Sequence, residues 1–403
     1  MPADERLKKT ARAAIEEAAS ADDGLVALSL ELHARPEIGF QERHAAARVA
    51  ELLERYGLRA VRGAYGVETA VEGRAASSAN DRPVVAFLAE YDALPGIGHG
   101  CGHNLIAAAA CGAGLGVRAA LESGLAGEVR VLGTPAEEGG GGKIVLIENG
   151  AFRDVDAVLM VHPCSVADAR AMNCLATATV DVRYTGLAAH AAAAPWEGRN
   201  ALDAMVLGYM ALAAMRQHIP PEARIHGVFL EAGQVPNVVP ERTVARYTVR
   251  HATVRALAGL RERVESALRA GAAAAGCEVE VRWLERPYAD LARVAALEEA
   301  YERNARALGR DFLDEGEVRR RFTASTDLGN VSQVVAAIHP MVAITRESPA
   351  LHTAAFAEAA RSREAQDAMI QAAVALAWTA LDYLADAGLR ERTRREHAAA
   401  TRE

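Results

Sequence analysis

The sequence predicts an α/β protein in which a mostly parallel sheet with flanking helices forms the main domain and a smaller ferredoxin-like α+β domain is inserted into it. Three observations predict this. Apolar strand-like runs alternate with helical ones through the first part of the chain, as in a parallel sheet. From Ala176 the texture changes to period-two alternation, and the elements follow in β-α-β-β-α-β order. The length, 403 residues, exceeds what one hydrophobic core usually serves.

The elements read as follows. Leu25, Leu28 and Leu32, then Ala47, Val49, Leu52 and Leu53, recur at helical spacing, broken at Arg35-Pro36. Pro83 to Ala89 is a short apolar run with β-branched residues, read as a buried strand that ends in the polar cluster Glu90-Tyr91-Asp92. An alanine-rich helix is expected from Asn104 to Leu121. Glu128 to Gly133 and Asp156 to Val161 are strand candidates, with a helical stretch from Lys143 to Asn149 between them. In such sheets functional groups collect at the carboxyl ends of the strands.

The inserted domain begins with the alternating strand Ala176 to Tyr184. It continues with a helix from Ala201 to Gln217, strands at Ile225–Leu230 and Thr243–Thr248, a helix from Val254 to Ala275, and a strand from Glu278 to Trp283. Arg286-Pro287-Tyr288 reads as the return crossing. The expected division is therefore 1–174 and 287–403 for the main domain and 175–286 for the insert. The charged tail, Arg390 to Glu403, is expected to fray.

Composition narrows the function classes. Hydrophobic residues make up 51% and charged residues 24%, a globular mixture. With 45 basic and 53 acidic side chains the formal charge is −8, and no long basic run favours a nucleic-acid partner. The stretch Leu105 to Val117 is too short to span a bilayer, and the N-terminus (Met1-Pro-Ala-Asp-Glu-Arg) carries no apolar signal region. No membrane partner and a cytoplasmic location are expected. The five cysteines (101, 111, 164, 174, 277) are odd in number and form no C-x-x-C pair, which argues against a disulfide framework.

Chemistry concentrates in four segments: Glu90 to Asn104, Gly133 to Gly142, Met160 to Pro163, and Ser348 to Thr353. Together they offer a thiol, carboxylates and imidazoles, the donors that zinc and its neighbours take up. A phosphate-binding reading of the glycines fails: Gly142-Lys143 is followed by Ile144, and Cys101 stands where a dinucleotide fingerprint needs glycine. The adjacent acids Glu137 and Glu138 can divide labour, because neighbouring side chains usually diverge. One can face a cation and the other a water whose proton it takes. The simpler alternative is an exposed acidic pair at a helix N-terminus.

Cys101 and His103, two residues apart on extended backbone, would point to one side; the alternative for Cys101 is a small buried hydrophobe. His33, His44, His218, His226, His251 and His397 read as ordinary surface or core residues. His339 reads as structural, and His99 as a loop-shaping residue rather than a ligand.

These residues resemble a known family. Leu32 to Glu42, Asp92-Ala-Leu-Pro95, Gly100-Cys-Gly-His103, Pro135-Ala-Glu-Glu138, Val161-His-Pro163 and the distal His352 are similar, in order, to the motifs of the zinc metallopeptidases. That family includes aminoacylase, glutamate carboxypeptidase, the auxin-conjugate amidohydrolases and p-aminobenzoyl-glutamate hydrolase. The resemblance implies a catalytic main domain, an inserted lid and dimerisation domain, and two divalent metal ions, zinc or manganese. Cys101, His103, Glu138, His162 and His352 would be ligands, Glu137 the general base, and Asp92 the residue orienting a ligand. Glu90 stands where carboxypeptidase relatives carry a metal-binding His, and is not a ligand by this analogy. Asn104, where auxin-conjugate relatives carry Asp, resembles the p-aminobenzoyl-glutamate and β-alanyl-dipeptide hydrolase branch.

In the insert, Tyr184 to Ala191 with Pro195 and Gly198 to Ala201 resembles the family's lid segment, whose His reaches the partner's active site in dimeric relatives. By that resemblance His190 would stabilise the oxyanion, and Asn237 and Arg250 would hold a substrate carboxylate. The implied function is hydrolysis of N-acyl amino acids or dipeptides with a free α-carboxylate, as a homodimer. The alternative is a non-catalytic carboxylate-binding or assembly protein on the same fold.

Overall fold

The computed structural model describes residues 3–79, 82–284 and 286–402. The readings of the extreme N-terminus at Met1 and Pro2, and of the tail at Glu403, lie outside them. The chain forms two compact units, one of Met1–Asn173 with Leu291–Glu403 and one of Cys174–Asp290.

The first unit opens with three helices, α1 (Glu5–Ser20), α2 (Leu25–Ala34) and α3 (Arg43–Arg55), followed by strands β1 (Arg59–Arg62) and β2 (Val71–Ala76). These two strands carry charges and Gly73 instead of an apolar run, so their sequence signal is weak. Then come β3 (Val84–Glu90), α4 (His103–Glu122), β4 (Glu128–Thr134), α5 (Gly142–Glu148), β5 (Ala157–Leu159) and β6 (His162–Cys164). The two-residue β7 (Asn173–Cys174) lies where the chain passes to the second unit.

The second unit contains β8 (Ala176–Thr185), α6 (Ala201–Met215), β9 (Arg224–Glu231), β10 (Arg242–His251), α7 (Val254–Ala275) and β11 (Glu278–Trp283). Its antiparallel sheet has the order β11-β8-β10-β9. Along β8 buried and partly exposed residues alternate, so one face meets the apolar sides of α6 and α7. Thr253 caps α7 by accepting from Ala256 N–H, and Gly276, at φ +66°, ends it.

The chain returns through α8 (Ala295–Arg306), α9 (Glu315–Arg321), β12 (Thr323–Ala324), α10 (Leu328–Val334), β13 (Ala336–Ile338), β14 (Met341–Ala343), α11 (Ala354–Ala359), α12 (Arg363–Ala385) and α13 (Ala387–Ala400). The main sheet runs β1-β2-β4-β3-β5-β13. Strands β4, β3, β5 and β13 are parallel, and β2 and β1 extend the sheet antiparallel. Every residue of β3 and β4 is buried, as central strands of a sheet covered on both faces should be.

Among the described residues two helices, α4 and α12, are long and apolar enough to cross a membrane, but 89% and 78% of their apolar stretches are buried inside the fold. All residues from Leu105 to Val117 are buried, with α4 packed against α1, α12 and β3. An all-round apolar helix is here a core helix.

The tail departs from expectation: instead of fraying, it forms α13. Asp386 accepts from Gly388 N–H at 2.9 Å, and His397 Nε2 lies 2.8 Å from Ser332 O. Leu389 and Thr393 are 2% and 0% exposed. The composition misled because the many charges lie largely on the outer face, while a few spaced residues dock. Leu389→Ala should therefore lower the unfolding free energy by about 2 kcal/mol or more in urea titration. No change would mean that the tail contributes nothing to the core.

Candidate metal centre

The parallel register sets Glu90 of β3 opposite Thr134 of β4, so the loops leaving both strands emerge side by side at the carboxyl edge of the sheet. From β3 comes the segment through Asp92 to His103, the first residue of α4. Gly102 turns the chain there with φ +77°, and a Cβ on it would meet Pro163 Cγ at 2.9 Å. The extended Cys101–His103 geometry expected from spacing is thus not what forms. A left-handed turn at Gly102, not a strand pleat, brings the thiol and the imidazole together.

From β4 comes Pro135 to Gly142, with Ala136 at φ +58°, and past β5 comes His162. His352, at φ +64°, is tied to the cysteine loop by its N–H donating to Gly100 O at 2.9 Å. Two non-glycine residues in the left-handed region mark strain concentrated at this edge.

All five predicted ligands converge. Cys101, His103 and His162 form one group, and Cys101, Glu138 and His352 another, with ligand atoms within 4.8 Å of one another. Cys101 Sγ lies 3.4 Å from His162 Nε2, and His352 Nε2 lies 3.5 Å from Glu138 Oε1. Ligands about 2.1–2.3 Å from a tetrahedral ion are separated by roughly 3.4–3.6 Å, so these pairs suit a shared cation. The buried atoms His103 Nε2 and Glu138 Oε1 have no hydrogen-bond partner, which a cation would supply.

Asp92 supports both groups. It receives His103 Nδ1–H through its carbonyl (2.9 Å) and carboxylate (3.1 Å), and its other oxygen accepts Glu138 N–H at 2.9 Å. His162 Nδ1–H donates to Pro163 O at 2.8 Å. Each ring thereby turns its Nε2 toward the cluster. The expected divergence of Glu137 and Glu138 is partial: each has a carboxylate oxygen 3.9 Å from His103 Nε2.

The three remaining predicted residues lie in the second unit. His190 and Asn237 come together there: Ala191 N–H donates to Asn237 O at 3.0 Å, and His190 bridges Val238. His190 is exposed, and its Nδ1 accepts from Ala192 and Ala193 N–H. Arg250 does not join them. It pairs with Thr177 and Arg224 at one end of β10, while Arg242, beside the His190 and Asn237 loops, pairs with Thr185 at the other.

A family model described as "Peptidase family M20/M25/M40" matches residues 84–375, the span that holds every one of these groups. The chain belongs to this peptidase family. It is accordingly a hydrolase of amide bonds. Over 402 residues it is 42% identical to the Xaa-Arg dipeptidase of Mus musculus, covering 97% of this chain and 92% of that one. One of the p-aminobenzoyl-glutamate hydrolase subunits of Escherichia coli is 38% identical over 234 residues, covering 53% of this chain and 48% of that protein. Among solved structures, a Bacillus subtilis M20 peptidase described as dinuclear metal binding shares the fold. Its TM-score is 0.68 at 19% identity, covering 90% of this chain and 98% of that one.

The electrostatics of this M20 centre are those of a place built for cations. Burial raises the Glu137 carboxyl well above its ordinary range, and repulsion from Glu90 and Glu138 adds to it. Burial likewise pushes the Cys101 thiol up. Burial pulls His162 down to about 3, which keeps its ring neutral and able to ligate. For His103 burial also acts downward, but the Asp92 hydrogen bond, Cys101 and Glu90 outweigh it and raise the ring well above the usual value. A bound cation would reverse the carboxyl and thiol shifts.

Several neighbours of the centre are not evident from sequence. Buried Lys143 Nζ donates to Glu90 and to Asp327 Oδ1 (2.6 Å), and the other Glu90 oxygen lies 3.5 Å from His103 Nε2. Glu90, His103 and Glu137 form a third group of possible donors, although the family resemblance gives Glu90 no ligand role. The sequence around Lys143 invites only a phosphate-loop reading, and Asp327 carries no local signal. His339, read as structural, packs its ring edge-on to His162 at 5.4 Å. Asn104 turns away from the cluster, donating to Ser29 Oγ at 3.0 Å and so fixing the start of α4 against α2.

Removing bound metal with a chelator should lower the melting temperature, because binding to the folded state alone stabilises by about 4 kcal/mol at a thousandfold excess over Kd. Cys101→Ser should reduce the metal recovered by elemental analysis. Unchanged metal content would make Cys101 a packed thiol only.

Proposed function

We propose that the protein is a dinuclear metallodipeptidase that cleaves the amide bond of dipeptides or N-acyl amino acids with a free α-carboxylate, with a basic carboxyl-terminal residue as the preferred leaving group. The observation that carries the chemistry is Glu137, a buried carboxylate 3.9 Å from His103 Nε2 and outside the two ligand groups that contain Cys101. The preference for a basic residue is supported by the near full-length likeness to Xaa-Arg dipeptidases, against likeness to only half of the p-aminobenzoyl-glutamate hydrolase subunit.

Cys101, His103 and His162 would hold one divalent cation, and Cys101, Glu138 and His352 the second. Zinc suits the thiolate and imidazole donors, and manganese is the alternative. The ions, when bound, supply Lewis acidity to the scissile carbonyl and acidify the attacking water. Glu137 takes the proton from that water and passes it to the leaving nitrogen. His190 donates to the oxyanion, a contact of about 3 kcal/mol in such sites. Arg250 and Asn237 receive the carboxylate, the guanidinium through two parallel hydrogen bonds.

The acyl side is supported as small and uncharged by the cavity of about 270 Å³ beside the ligands. Its wall adds Met172, Phe322, Met341, Leu351, Thr323, Ser325 and Thr326 to them.

Two copies are needed for this reading. The eight residue steps from Arg242 to Arg250 span roughly 27 Å of strand, too far for His190 with Asn237 and Arg250 of one chain to grip the same small substrate. The edge strand β9 exposes Val228, Phe229 and Leu230, and α6 exposes Val206, Leu207 and Met210. Those apolar surfaces suit a second copy.

Glu137→Ala should lower kcat by at least about a hundredfold while keeping metal bound; retained turnover would remove the base from Glu137. In a substrate panel, Xaa-Arg and Xaa-Lys dipeptides should exceed p-aminobenzoyl-glutamate and N-acetyl amino acids in kcat/KM. The reverse order would overturn the substrate class. Mixing inactive His190→Ala with inactive Glu137→Ala subunits should restore part of the activity. No recovery, once subunit exchange is confirmed, would place His190 in its own chain's site.

A further inference from the structure

The acidic residues of the segment Arg35 to Glu42 are not explained by the chemistry above, and their placement is unusual. Glu42 occupies the N-cap position of α3, where a carboxylate ordinarily accepts from its own helix. It makes no such bond. Glu37 caps that helix instead, accepting His44 N–H at 3.1 Å and Ala45 N–H at 2.9 Å. Glu42, 0% exposed, sends its carboxylate 94 positions along the chain, where Oε1 accepts Ala136 N–H at 2.8 Å.

Ala136 is the left-handed residue, at φ +58°, directly before Glu137 and Glu138. That conformation disfavours any side chain, so something must hold it. The same segment grips the joint from its other side. A Cβ on Gly39 would meet Ala136 Cβ at 2.9 Å and Gly139 O at 3.1 Å, so the hook lies flush on the loop. Phe40, itself at φ +61°, lies so close to Gly140 that a Cβ there would meet its ring at 2.6 Å. Glu37 O also accepts Ala93 N–H at 2.8 Å, tying the hook to the residue after Asp92.

We propose that Glu42 is a positioning residue that, with Gly39 and Phe40, braces Ala136 in its left-handed conformation and so aims Glu138 at the metals and Glu137 at the reacting water. It belongs to none of the three groups of possible metal donors. Its role is to select one peptide orientation, in which the two adjacent carboxylates both face His103 instead of diverging. The proposal rests on the dinuclear reading of the centre.

The test is a series read by zinc affinity, measured in competition with a chromophoric chelator, together with kcat on an Xaa-Arg dipeptide. Glu42→Ala should weaken zinc binding by roughly tenfold or more and lower kcat more than it changes KM, as loss of a ligand-orienting contact does. Glu42→Gln, whose amide oxygen can still accept from Ala136, should recover most of that loss. Adding Ala136→Gly to Glu42→Ala should also recover it, because glycine adopts φ +58° without strain. A merely structural glutamate would not be rescued by a glycine at position 136.

If Glu42→Ala does not fold, Ala136→Val carries the test by straining the same joint with Glu42 intact. It should weaken zinc binding by roughly tenfold, and wild-type affinity would overturn the brace. The brace also falls if Glu42→Ala binds zinc as the wild type does, or if neither rescue works. Wild-type protein that binds no zinc would overturn the metal reading itself, a separate outcome.

Discussion

Buried negative charge is the constraint on which the rest of the structure depends. Glu90, Asp92, Glu137 and Asp327 are all buried within one cluster of loops, together with a cysteine and two buried histidines, and Lys143 stands between two of them. Carboxylates held together away from water repel one another and lose their hydration, a cost of several kcal/mol for each unpaired ion. Lys143, which Asp327, Glu90 and Glu137 keep protonated against the pull of burial, offsets only part of it. Bound metal ions would offset the rest. The fold tolerates the cluster because it is completed by what binds there, so stability and function meet at one point.

The sheet supplies the geometry. Parallel strands deliver their loops to one edge, and β3, β4 and the β5–β6 run each contribute a ligand-bearing segment. The strain at Ala136 and His352 is the local cost of turning acid and imidazole side chains inward. Asp92 joins two of these loops by gripping His103 with one part of its side chain and the Glu138 backbone with another. A shift of either loop therefore disturbs both ligand groups.

Much of this is legible in the sequence, and the reasons differ by element. Apolar runs such as β3 and the period-two alternation of β8 speak directly through side-chain pattern, so their bounds fall within a residue or two of expectation. The candidate ligands are legible because cysteine, histidine and paired glutamates cluster in the loops that follow strands. β1 and β2 are not, since the charges they carry hide the period. Lys143 and Asp327 are illegible because their meaning lies in a contact across 184 positions. Glu42 looks like part of a motif and, locally, like a helix cap; only the fold reveals that its partner is Ala136. The tail misleads because charge density says nothing about the few residues that dock.

The most direct measurement of the central claim is anomalous diffraction at the zinc edge from crystals of the zinc-loaded protein. The account predicts two adjacent peaks, one bordered by Cys101, His103 and His162 and the other by Cys101, Glu138 and His352. No ordered zinc at this edge of the sheet, or zinc held only elsewhere on the molecule, would contradict it.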